Sequence, residues 1–313
     1  MFSNYFFKEN IDEKNSKTNK EKDSFINYNL NNENLNYKGG LVYSEKISKA
    51  KSPFIALWKT IFTNSSQTLL LSKLFIRSFF AAKDIIKVLP YKKLGKLNNL
   101  TYNVLRSWGN DLLKILDVKV YVRGLENVYI DKNYLFISNH LSPLDIPLIY
   151  ATIPVLAGFV SNIELSYLTV FSYWMKKSNS VFLKRRDKAS EVKALKEIID
   201  KLKKGISLII FPEGKMSEDG FIKDFYEGGI LGALISQKPI LPIYIKGTRE
   251  CLKPGEFNFN LPASLYIDYK TPLLTNNLNR KEKKDFVIYL NSLYKKFEKE
   301  FEENLNDFSI YKG

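Results

Sequence analysis

The chain has 313 residues, with 48 Lys and Arg against 33 Asp and Glu for a formal net charge of +15; 45% of it is apolar and 14% aromatic. That is enough apolar material for one large core or two small ones, and it excludes a wholly disordered, collagen-like or disulfide-framed chain. The lone Cys251 and the lone His140 rule out an internal disulfide and a zinc site of His and Cys ligands, and nothing suggests an oxidising compartment.

Residues 1–40 hold six Lys, six Asp or Glu and ten Asn, and end in Gly39-Gly40. Balanced in charge and low in complexity, this stretch predicts a disordered tail, with its boundary placed at residue 50. Glu9, Asp12 and Glu13 break up any apolar run, so it does not read as a secretory signal.

Residues 41–110 are different, with twelve Lys or Arg against only Glu45 and Asp84, a net of +10. The same segment holds Trp58, Phe62, Phe75, Phe79 and Phe80, yet Lys59, Lys73, Arg77 and Lys83 interrupt it. No window reaches the ~18 uncharged apolar residues that a membrane-spanning helix requires. Leu70, Leu71, Leu74, Phe75, Phe79, Ile85 and Ile86 fit one side of helices whose other side is cationic. Two readings follow: helices lying in the plane of an anionic bilayer surface, or amphipathic helices packed on the protein's own core. Residues 51–110 are therefore expected to be a basic amphipathic, membrane-associating segment. No nucleic-acid-binding motif accompanies the charge, so a nucleic-acid partner is not expected.

From Val118 the texture becomes short apolar runs alternating with helical patterns. Residues 118–122, 134–138, 180–184, 207–211, 242–246 and 264–269 predict strands. Ser190 is placed to cap a helix carrying Val192, Leu195, Ile199 and Leu202, stopped by Gly205. Phe286, Leu290, Leu293, Phe297 and Phe301 mark a last helix within 281–305. The expectation for 111–313 is an α/β domain with a mixed, largely parallel sheet flanked by helices.

In such folds the chemistry sits just past the carboxyl ends of strands. Asn139-His140-Leu141-Ser142-Pro143-Leu144-Asp145 follows the second predicted strand. Ser142 and Pro143 suit a helix cap and first position, which brings Asp145 within reach of His140. A carboxylate on one ring nitrogen leaves the other as a general base, although a histidine serving a local turn has the same pattern. Phe211-Pro212-Glu213-Gly214-Lys215 follows another strand, and Lys184, Arg185 and Arg186 follow a third. A cation cluster in a cleft clamps phosphate; on a surface it is merely solvated.

Taken in order, these elements resemble the glycerolipid acyltransferase family. His140 and Asp145 match its H-x4-D motif, Phe182 and Arg185 its F-x-x-R strand, and Phe211 to Gly214 its F-P-E-G turn. Pro242 resembles the family's proline in an apolar strand, and Phe225 with Gly228 its F-x-x-G element. The resemblance runs from about Val118 to Arg249. Three positions depart from it: Lys215-Met216-Ser217 replaces a common Thr-Arg-Ser, Asn179 a usual glycine, and Asn162 a usual lysine.

The resemblance implies an acyltransferase that moves a fatty acyl group from an acyl thioester to the hydroxyl of lysophosphatidic acid. Glycerol 3-phosphate or another lysolipid is the alternative acceptor, and a non-enzymatic basic membrane-binding protein the alternative class. His140 would be the base and Asp145 its orienting carboxylate. Arg185, helped by Lys184 or Lys215, would hold the acceptor's phosphate. Glu213, beside Gly214, would bond the glycerol hydroxyl or fix that arginine. No cofactor or metal is implied, only acyl-CoA or acyl carrier protein as co-substrate. The expected location is the cytoplasmic face of a membrane, bound monotopically.

Overall fold

The structure is a computed structural model that describes Ser66, residues 68–74 and residues 94–313 apart from 168. The predicted tail over 1–50, and Trp58, Phe62, Phe75, Phe79, Phe80, Ile85 and Ile86, lie outside the described residues.

The sheet has eight strands: β1 (Lys119–Arg123), β2 (Leu135–Ser138), β3 (Ala157–Asn162), β4 (Val181–Leu183), β5 (Ser207–Ile210), β6 (Ile240–Lys246), β7 (Ser264–Tyr269) and β8 (Ser309–Ile310). Their spatial order is β4-β3-β5-β2-β6-β7-β1-β8. The first five run parallel, so their carboxyl ends share one edge. β7 runs antiparallel to β6, β1 parallel to β7, and β8 antiparallel to β1. This is the expected mixed, largely parallel sheet. Every residue of β2 and β5 is buried, which explains their unbroken apolar runs: a central parallel strand has no solvated face.

The helices are α1 (Leu94–Ile115), α2 (Asp145–Thr152), α3 (Thr169–Lys177), α4 (Lys188–Lys203), α5 (Glu227–Ser236), α6 (Thr248–Cys251) and α7 (Arg280–Phe301). α1 packs on α2, and α4 on α5. Val104, Leu105, Leu112 and Leu113 of α1 are buried. The boundary predicted at 110 therefore falls inside a core helix, and residues 94–110 belong with the sheet domain. Residues 68–74 are helical, and Leu70, Leu71 and Leu74 pack, half-buried, against the same core. At these three positions the structure matches packing on the protein's own core. Among the described residues no helix is long and apolar enough to cross a membrane.

Two caps differ from expectation. Asp187, not Ser190, caps α4, accepting from the Ser190 backbone N–H at 3.0 Å, while the Ser190 hydroxyl oxygen accepts from the Lys184 N–H at 2.8 Å. α2 begins at Asp145 rather than at Pro143.

Candidate active site

His140 follows β2, the strand between β5 and β6, and each neighbour contributes to its surroundings. Its Nδ1 lies 2.8 Å from Asp145 Oδ2. The same oxygen accepts the backbone N–H groups of Leu141 at 2.7 Å and Ser142 at 2.9 Å. Asp145 Oδ1 accepts the Thr248 hydroxyl at 2.6 Å from beyond β6. Asp145 is completely buried, and donors surround it. A carboxyl group so placed acts as acceptor, so Nδ1 carries the proton and Nε2 keeps its lone pair. Nε2 has no partner among the described residues, and 15% of the side chain's surface stays accessible.

The backbone of His140 is held as closely as its ring. Its N–H donates to Glu213 Oε1 at 2.8 Å, and its carbonyl accepts the Ser217 N–H at 2.8 Å. Glu213 Oε2 accepts the Lys223 N–H at 2.9 Å, so this buried carboxylate bridges the turns after β2 and β5. Burial pushes its pKa up, and the two backbone donors oppose that. Gly214 holds a φ of +71°, the left-handed conformation that lets the chain turn back so that its N–H meets the Phe211 carbonyl at 3.0 Å. Phe211 stacks on the His140 imidazole. Asn139, also buried, exchanges two hydrogen bonds with the backbone of Ile245: its amide donates to the carbonyl at 2.9 Å, and its side-chain oxygen accepts the N–H at 2.8 Å. This clamps the end of β2 to β6.

His140, Asp145 and Glu213 thus come together, with Glu213 occupied by backbone donors. Lys184 and Arg185 stand exposed past β4, three strands from β2, or about 14 Å at the usual strand spacing. Lys215 is exposed, and its Nζ lies 3.2 Å from Glu218 Oε1. Sequence reading missed Thr248, the clamp by Asn139 and the stacking by Phe211. The only available signals were their places beside the motifs, in Gly247-Thr248, Asn139-His140 and Phe211-Pro212. Cys251 is buried and its thiol is pushed up to about 11, so it stays protonated and offers no thiolate nucleophile.

A free imidazole nitrogen backed by a buried carboxylate, with no serine or cysteine nucleophile attached, suits activation of a hydroxyl that belongs to a substrate. The family model described as Acyltransferase matches residues 119–246, which span β1 to β6 and every residue named above except Gly247, Thr248 and Cys251. Residues 119–246 are an acyltransferase domain. Among the relatives of this acyltransferase is the 1-acyl-sn-glycerol-3-phosphate acyltransferase of Limnanthes douglasii, 26% identical over 206 residues, covering 66% of this chain and 71% of that one. The chloroplastic enzyme BAT2 of Brassica napus, of the same name, is 34% identical over 140 residues, 44% of this chain and 40% of that one. The crystal structure of the 1-acyl-sn-glycerophosphate acyltransferase PlsC from Thermotoga maritima superposes with a TM-score of 0.65 at 25% identity, covering 75% of this acyltransferase and 95% of that chain.

Proposed function

We propose that this acyltransferase moves a fatty acyl group from an acyl thioester to the free hydroxyl of lysophosphatidic acid, giving phosphatidic acid. The observation that carries the reading is the His140–Asp145 pair, with Nδ1 tied to a buried carboxylate and Nε2 left open. The names of the relatives support the acceptor. Nε2 takes the hydroxyl proton as the oxygen attacks the thioester carbon, and the buried Asp145 stabilises the imidazolium that forms. The tetrahedral oxyanion then collapses, the carbon–sulfur bond breaks, and the departing thiolate takes the proton back from Nε2. All atoms and charges balance, and no acyl-enzyme is needed.

Acyl-CoA or acyl carrier protein serves as donor, and no cofactor enters. Both substrates are anionic, and Lys184, Arg185 and Lys215 supply cations at the same edge of the sheet. Gly214 and Glu213 shape the turn beneath them. The acceptor and product are lipids, so the enzyme works at a membrane surface, bound monotopically at the cytoplasmic face through the basic residues that precede α1.

The test is to incubate the purified full chain and anionic liposomes with a labelled acyl thioester and a panel of lysolipids. Labelled phosphatidic acid formed in preference to other products supports the reading; transfer only to another acceptor, or none, overturns it.

A further inference from the structure

The proposed acceptor carries a phosphomonoester, and the cations assigned to it by resemblance sit far from the base or out on the surface. A nearer guanidinium belongs to Arg249, one residue after Thr248, whose hydroxyl touches Asp145. Arg249 follows β6, the direct neighbour of β2, so it stands one strand spacing from the His140 turn, about 5 Å, where Arg185 stands three.

The guanidinium is held in place but chemically unfinished. Its Nη2 donates to the carbonyl of Glu218, and its stem lies against Gly220. Ser217, next to Glu218, donates its N–H to the His140 carbonyl, so the arginine and the base are fastened to the same short turn. Arg249 Nε is buried and meets no acceptor, one of three such side-chain atoms among the described residues. The nearby carboxylates are engaged elsewhere: Glu218 pairs with Lys215, and Asp219 with Lys223. A positive, planar fork with an idle buried donor fits a tetrahedral oxyanion ligand. This turn also carries Met216, where the family commonly has an arginine.

We propose that Arg249 determines acceptor specificity by holding the acceptor's phosphate while the hydroxyl lies at His140 Nε2. The inference rests on the proposed acceptor. It assigns to a residue beyond β6 the charge that Met216 does not supply.

The experiment compares wild type, Arg249→Gln and Arg249→Lys in the full chain on liposomes. The acceptors are lysophosphatidic acid and the phosphate-free monoacylglycerol, and binding of glycerol 3-phosphate is measured separately by calorimetry. Arg249→Gln is expected to raise the KM for lysophosphatidic acid about tenfold or more, leave the thioester KM unchanged, and narrow the preference over monoacylglycerol by the same factor. Arg249→Lys recovers part of the loss, because charge returns without the fork. Glycerol 3-phosphate binding weakens in parallel. Equal losses on both acceptors would reduce Arg249 to a latch for the 217–220 turn, and an unchanged lysophosphatidic acid KM with unchanged glycerol 3-phosphate binding would overturn the proposal. Arg249-dependent glycerol 3-phosphate binding by a wild type that does not acylate lysophosphatidic acid would sink the proposed function and leave the anion site standing.

Discussion

The imidazole of His140 lies flat on the ring of Phe211, with centroids 3.8 Å apart and planes 11° from parallel. Phe211 in turn stacks on Phe159 at 5.6 Å and 20°. The stack sets the plane of the base while Asp145 sets its tautomer, and the π face favours the imidazolium as it forms. Phe211→Leu keeps an apolar side chain and removes the π face. Steady-state kinetics should show kcat reduced about three- to tenfold, with both KM values within about twofold of wild type.

The residues around the base should differ in severity. His140→Ala removes the proton acceptor, and turnover should vanish in folded protein. Asp145→Asn leaves an imidazole that is misoriented and should retain a residual rate, about a thousandfold down. Thr248→Val withdraws one of four donors from Asp145, which should cost about 2 kcal/mol of stability in denaturant titration and a several-fold drop in kcat. Near wild-type activity in His140→Ala would end the assignment of the base.

Glu213 makes a prediction in pH. Its folded-state pKa is raised, chiefly by burial, so over a window beginning near its ordinary value of 4.5 the native state binds more protons than the unfolded one. Its contribution to stability therefore falls as pH rises through that window. Glu213→Gln cannot titrate. Unfolding midpoints measured at closely spaced pH values should show wild type losing ground relative to Glu213→Gln on going up from about pH 4.5. A gap that widens in the other direction would mean that the two backbone hydrogen bonds outweigh burial.

The basic segment predicts a salt response. Liposome flotation should find the full chain bound to anionic vesicles, with salt weakening but not abolishing binding, since apolar insertion is unscreened. A chain beginning at Leu94 keeps α1 and the sheet domain but loses residues 41–93, and should bind much more weakly. Equal binding by both would place the anchor in the sheet domain.

Much of this was legible in the sequence wherever local pattern and burial agree. β2 and β5 are unbroken apolar runs because both faces are covered, and six of the eight strands are visible in this way. β3 was not, because Gly158 and the polar end Ser161-Asn162 dilute its apolar signal; its glycine is required by the backbone of 178–180, which leaves no room for a Cβ. β8 has two exposed residues and forms only because the chain end returns along β1. In the site, His140 and Asp145 lie five positions apart and could be paired from spacing alone. Thr248 meets Asp145, and Ile245 meets Asn139, across more than 100 residues, a proximity that only the sheet order creates.

That separation has a kinetic consequence. The bond from Thr248 to Asp145 spans 103 positions, and the one from Glu213 to His140 spans 73. Contacts so distant along the chain form only after large loops have closed, whereas helices and turns form within their own neighbourhoods. A chain returning from denaturant should recover its helical circular dichroism before its base is oriented, so regained turnover will lag behind regained helix and serve as a clock for the last strands to pair.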